Sequence, residues 1–178
     1  MKERQTFERA SEVLRAARSS GLFVVYVVVS FRPDYPEVSD RNLSFRERKN
    51  SGSAPAADPA SLIHLPVVPH EREPVLVKHR VKHRANALSC TGLDMILRTQ
   101  GFDTLILMGH ATSGVILSPV RYGADADYCL IVVEDGCADR DLEVHQLLMQ
   151  KVFLRQAVVA SSQEVVTRWA RPNGYRVS

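Results

Sequence analysis

Gly101-Phe102-Asp103-Thr104-Leu105-Ile106-Leu107-Met108-Gly109-His110-Ala111-Thr112-Ser113-Gly114-Val115 is the stretch that decides how this chain is read. A glycine stop precedes Thr104 to Met108, a continuous apolar run of the kind that a parallel sheet covers on both faces. A polar loop follows, and then a segment that by position opens a helix. The form is that of a site, yet an apolar residue, Val115, stands where a nucleophile could stand.

Outward from this stretch the same alternation repeats. Phe7, Ala10, Leu14 and Ala17 recur at helical spacing, and Gly21 stops that helix. Leu22 to Val29 is an unbroken β-branched and aromatic run, predicting a strand with helices on both of its faces. Pro74 to Lys78 predicts a short strand, and Leu93, Ile96 and Leu97 a helix that Gly101 ends. Residues from about Thr112 to Ala126 are expected to be helical, weakened by Pro119 and Gly123. Cys129 to Val133 is the next strand, Asp141 an N-cap for a helix carrying Val144, Leu147 and Leu148, and Val158-Val159 a last short strand before a helix near Trp169. Strands alternating with helices give right-handed crossovers, so the fold class is α/β, a mostly parallel sheet between helical layers.

Residues from about 32 to 73 break the pattern, with most of the prolines among Ser, Asn, Asp and charges. So long a loop is either a lid or partner-binding excursion, or a segment hiding short elements of its own, and the second is favoured. The chain has 178 residues, 45% of them hydrophobic, which suits one domain spanning 1–178 with a real core. A formal net charge of +3 is too small to call for nucleic acid or an anionic membrane as a partner. Three cysteines, Cys90, Cys129 and Cys137, are odd in number and lie in patterned segments, which fits a reducing, cytoplasmic setting better than a disulfide framework. The charged start carries no signal-peptide core, and no apolar run approaches a membrane span of about 20 residues.

The second half resembles the isochorismatase-like hydrolase family, α/β cysteine hydrolases that include nicotinamidases and carbamoylases. The resemblance runs from about Ala10 to Val166. It rests on Val81-Lys82-His83-Arg84 with Thr91-Gly92-Leu93-Asp94, on Leu97 to Leu105, on Gly109-His110-Ala111-Thr112, and on Glu134-Asp135-Gly136-Cys137-Ala138-Asp139 with His145. It implies a three-layer Rossmann-like fold. It also implies an Asp base, a Lys that polarises the site and a Cys at a helix N-terminus, because a thiolate at neutral pH needs a neighbouring base, a cation and helix-terminal amides. By this resemblance Lys82 is the site lysine and Val115 occupies the nucleophile position without a thiol. The backbone amides of Ala111 and Val115 would form the oxyanion hole beside a non-proline cis peptide at His110-Ala111, and His110 and Thr112 would line the pocket. No aspartate matches the base, because the family's first strand has no counterpart before the first helix. That strand is central in the family's sheet. Its absence implies a gap, closed by re-pairing of the sheet, by a strand from a partner, or not at all in a product that folds poorly.

Plainer readings stand beside these. Lys78, Arg80, Lys82 and Arg84 alternate with Val77, His79, Val81 and His83 and also suit a solvated strand edge. His79 and His83 have metal spacing only on a helix and lack a third ligand, and the nicotinamidase Asp-any-His-any-His pattern is absent, so neither metal nor cofactor is expected. Cys137 suits a packing residue, and Cys90 a small buried hydrophobe more than a relocated thiol. Two functional expectations result. One is a hydrolase-family member, by resemblance acting on small amide-type or vinyl-ether substrates, with catalysis impaired. The other is a non-catalytic, homo-oligomeric binding or assembly protein on the same scaffold, holding at most a small-molecule ligand.

Overall fold

The computed structural model describes residues 2–52, 62–78, 85–89 and 91–169. Helix α1 spans Lys2–Ser19 and buries Ala10, Leu14 and Ala17 of the predicted stripe together with Val13, while Phe7 is half-buried. Strand β1, Tyr26–Val28, is much shorter than the apolar run that contains it, and Leu22 and Phe23 are exposed. Helix α2, Leu43–Asn50, lies inside the proline-rich excursion, capped by the Asn42 side chain on the Phe45 amide. It helps to form a small cluster of Phe31, Tyr35, Val38 and Phe45, so the excursion holds an element of its own.

Strand β2 is Val75–Val77, helix α3 Leu93–Thr99 and strand β3 Thr104–His110. A wide turn, Thr112–Ile116, leads into α4, Leu117–Asp125. Strand β4 is Cys129–Ala138, helix α5 Leu142–Leu147, strand β5 Val158–Ala160 and helix α6 Ser162–Trp169. All pairings are parallel: β1 with β2, β3 with β4, and β4 with β5.

β4 is flanked on both edges and carries the core. Its side chains alternate: Leu130 and Val132 pack among Leu93, Leu97, Val120, Met149 and Phe153, while Ile131 and Val133 pack with Val13, Ala160 and Val165. Each such fully buried aliphatic contributes about 1.5–3 kcal/mol relative to an exposed one. The continuous apolar run in sequence thus becomes two opposed apolar faces, each under its own helices.

Several expectations change on inspection. Gly123 does not simply weaken α4: a Cβ there would lie 3.0 Å from Leu130 Cδ2, so glycine lets the helix sit close against β4. Pro119 is buried just after the wide turn Thr112–Ile116 gives way to α4. Val144 and Leu147 are exposed on α5; of the three expected residues Leu148 alone is buried, beside Met149 in the turn that extends the helix. The β3–β4 register jumps from Leu107↔Val132 to Gly109↔Cys137, so β4 bulges outward between them. The bulge carries Asp135 to the start of α6, where it accepts bonds from the Ser162 amide and hydroxyl, each at 2.7 Å.

Among the described residues the sheet does not re-pair into one. The described strands form two separate sheets, β1-β2 and β3-β4-β5. Between them lies a largely apolar cleft of about 1630 Å³, walled by β1 and β3 and by Val13, Leu14 and Ala17 of α1.

Candidate active site at the end of strand β3

β3 ends at Gly109 and His110, and the His110-Ala111 peptide is cis. Gly109 has φ +147°, a conformation that side-chain-bearing residues rarely adopt. The chain then coils so tightly around the Ala111 carbonyl that three amides point at it, from Gly114 at 3.1 Å, Val115 at 2.8 Å and Ile116 at 3.4 Å.

Two distant motif residues brace this turn. Thr112 is fully buried, and its hydroxyl lies 2.8 Å from His145 Nδ1 on α5. Asp139 accepts the Ser113 amide at 2.7 Å and the Asp141 amide at 3.3 Å, while Asp141 caps α5 through the amides of Glu143 and Val144. Burial pushes the Asp139 carboxyl up, but the amides directed at it outweigh this and hold it below the usual carboxylate range. The sequence motifs around Asp139 and His145 thus converge on one loop.

The residues singled out from sequence separate here. His110 and Val115 line the cleft. Thr112 does not: its side chain faces α5 instead, and it anchors the turn rather than walling a pocket. The Val115 amide donates to the Ala111 carbonyl within the turn; oxyanion roles for the Ala111 and Val115 amides remain proposals. Lys82 and Cys90 lie outside the described residues.

Lys78, read from sequence as part of a solvated edge, is instead fully buried directly after β2. Its ammonium donates to the carbonyls of Asn86 and Ser89, the second at 3.0 Å. A buried ammonium requires such acceptors, and the Asn86–Ser89 loop supplies them. A signal for this was present. Val77-Lys78-His79-Arg80 is followed at once by Val81-Lys82-His83-Arg84, a tandem four-residue repeat that offers two lysines for one role. The family resemblance favours the second copy and adjacency to the strand favours the first.

The described thiols are poorly suited to attack. Cys137 is buried, and burial pushes its thiol up to about 12, so almost none is thiolate at neutral pH. Cys129 begins β4 opposite Thr104, at the far end of β3 from His110, roughly 20 Å away along the strand. Among the described residues no cluster of three or more His, Cys, Asp or Glu could hold a metal ion.

A parallel α/β core, with a strand–turn–helix site braced by an Asp and a His from the next strand and helix, defines the class as an isochorismatase-type hydrolase fold. The isochorismatase domain family matches residues 1–164, and the chain belongs to that family. It is 26% identical over 159 residues to maleamate amidohydrolase of Pseudomonas putida, spanning 89% of this chain and 72% of that protein. It is similar to N-carbamoylsarcosine amidase from Thermoplasma acidophilum, at 30% identity and TM-score 0.72, covering 92% of this chain and 86% of the other. A cysteine hydrolase from Pseudomonas syringae shares the fold at TM-score 0.80 and 19% identity, over 95% of this chain and 82% of that one.

Proposed function

We propose that this isochorismatase-family chain has lost thiol catalysis and retains the cleft beside His110 and Val115 as a binding site for a small amide-type compound. One observation carries the reading: the turn after β3 is built and braced, yet it presents Val115 to the cleft in place of a thiol. Valine has neither a lone pair to attack with nor a proton to exchange. The described cysteines offer no substitute, one held protonated by burial and the other at the wrong end of the sheet. The names of the relatives, an amidohydrolase and an amidase, support amides as the ligand class. The site cation belongs to the repeated Val-Lys-His-Arg segment, as Lys78 or Lys82. On this reading the chain is a single cytoplasmic domain; among the described residues no helix is long and apolar enough to cross a membrane.

The test is direct. Maleamate and N-carbamoylsarcosine are offered to the purified chain, with ammonia release and thermal stability both followed. Stabilisation without ammonia is the expected result. Ammonia release that disappears in Lys78→Ala or Lys82→Ala would make the chain a working hydrolase.

A homo-oligomeric assembly role on the same scaffold is supported by α5, which has no buried residue and leaves Leu142 and Leu147 about half exposed, at 46% and 51%. A concentration-independent monomer by sedimentation would remove that reading.

A further inference from the structure

We infer that the outward side of the helical segment running from α5 to Arg155 is the face on which two copies of this chain pair, antiparallel and two-fold, with Leu147 at the centre. The inference rests on the homo-oligomeric reading and names the surface that carries it.

The segment is continuous. α5 runs without a break into the wide turn Leu148–Val152 and then the tight one Phe153–Arg155. Its inward side is well used, since Leu148, Met149 and Phe153 are buried in the core that also holds Leu130 and Val132 of β4. Its outward side is not. Val144, Leu147 and Leu154 are exposed at helical spacing, the last two by 51% and 59%, and α5 itself buries no residue. A single exposed leucine needs no explanation, whereas aliphatics recurring along one side of a helix make a patch that is worth covering.

Charge says what covers it. Glu143 and Lys151 are both exposed and stand four residues to either side of Leu147, at the spacing that shares a helix side. Among the described residues neither has an ion-pair partner. The wider ends repeat the signs: residues 139–143 hold three carboxylates against Arg140, and residues 151–155 hold Lys151 and Arg155 with no acid. Acids at a helix start and bases at its end also suit the helix dipole, but the dipole asks for no leucines between them.

Turned about a two-fold axis through Leu147, the segment is its own complement. Each Glu143 then meets the partner's Lys151, and the two Leu147 side chains meet each other. A parallel pairing would instead set glutamate against glutamate and lysine against lysine. The leucines supply the attraction and the ion pairs set the register, since exposed pairs contribute little by themselves. One helical side is far smaller than the about 800 Å² per partner of a standard interface, so the dimer is expected to be weak and concentration-dependent.

Sedimentation velocity of the full chain across a concentration series tests this. The parent should pass from monomer to dimer as concentration rises. Glu143→Lys and Lys151→Glu should each weaken the dimer by about tenfold or more, because each brings like charges together on both sides of the axis. Mixed in equal amounts, the two variants should recover dimer at the parental level, since every pair across the axis is again of opposite sign. Both positions are exposed, so far-UV circular dichroism should show an unchanged fold. A parent that stays monomeric throughout overturns the inference and the homo-oligomeric reading together. Self-association that neither variant alters overturns this face and leaves that reading standing. Weakened variants whose mixture stays monomeric overturn the antiparallel pairing, and the inference with it.

Discussion

Val115 decides the chemistry at the level of single residues, and the groups around it decide what a change there can do. Val115→Cys adds a sulfur to the cleft wall but no carboxylate base beside it, so amide turnover should stay at background in an ammonia-release assay. A large gain from that one substitution would mean that a base already stands in the site. Thr112 belongs to the turn's foundations. Thr112→Val keeps the shape and removes the hydroxyl that meets His145, so a hydrogen bond to a half-buried ring nitrogen is lost, at a cost of about 0.5–1.5 kcal/mol in urea denaturation. A neutral outcome would contradict the bracing role. Lys78 is the residue whose surroundings sequence conceals most. Alternation with valines and histidines reads as a wet edge, and only the fold brings the carbonyls of Asn86 and Ser89 around its ammonium. The tandem repeat was visible in the letters, but which copy follows the strand depends on where β2 stops.

Among the elements, the tie between α1 and the segment before β2 is a pH-sensitive contact. Arg18 grips Glu73 with a two-pronged bond at 2.8 and 2.7 Å, and its outer nitrogen also donates to the Val68 carbonyl. The Arg18 bond holds the Glu73 carboxyl below its ordinary value, against the opposing pull of burial. A carboxyl lowered in the folded state contributes stability that is fully present above the unfolded value of about 4.3 and disappears as pH falls through the lower folded value. Glu73→Gln should therefore lower Tm at pH 7 and converge on the parent protein in acid, as pH falls from the unfolded value of about 4.3 through the lower folded value. A constant gap between the two across that range would contradict the assignment. Strands and helices with long, one-sided patterns were legible: α1, α3, β3 and the start of β4 all stand where periodicity or apolar runs predict. The shortening of β1 was not, because its eight-residue apolar run reads as a strand with neighbours on both edges, and one edge here borders a cleft. Nor was the β4 bulge, since nothing local marks where Asp135 leaves the ladder for α6.

Taken as a whole, the molecule is a well-filled half and an open half. Around β4 the two clusters pack the sheet on both faces, while toward β1 the sheet stops and apolar Leu22, Phe23 and Phe102 remain partly in solvent. The α/β class and the family followed from the order of elements and a handful of motifs. Of the site, the polar turn after the β3 run was legible, while the contacts of Thr112 and Lys78 emerge only from the fold. With the cleft open on this side, the chain should unfold in urea with an m value below that of a fully packed domain of 178 residues, because less apolar surface is buried to begin with; an m value typical of such a domain would contradict the open cleft.

The central claim is that no sulfur in this protein attacks a carbonyl carbon. Intact-mass spectrometry of the chain after incubation with excess N-carbamoylsarcosine or maleamate, quenched in acid, tests it most directly. An unmodified mass, together with no ammonia above the uncatalysed background, is the predicted result. A mass increase equal to one acyl or carbamoyl group, mapped to Cys90, Cys129 or Cys137, would contradict it.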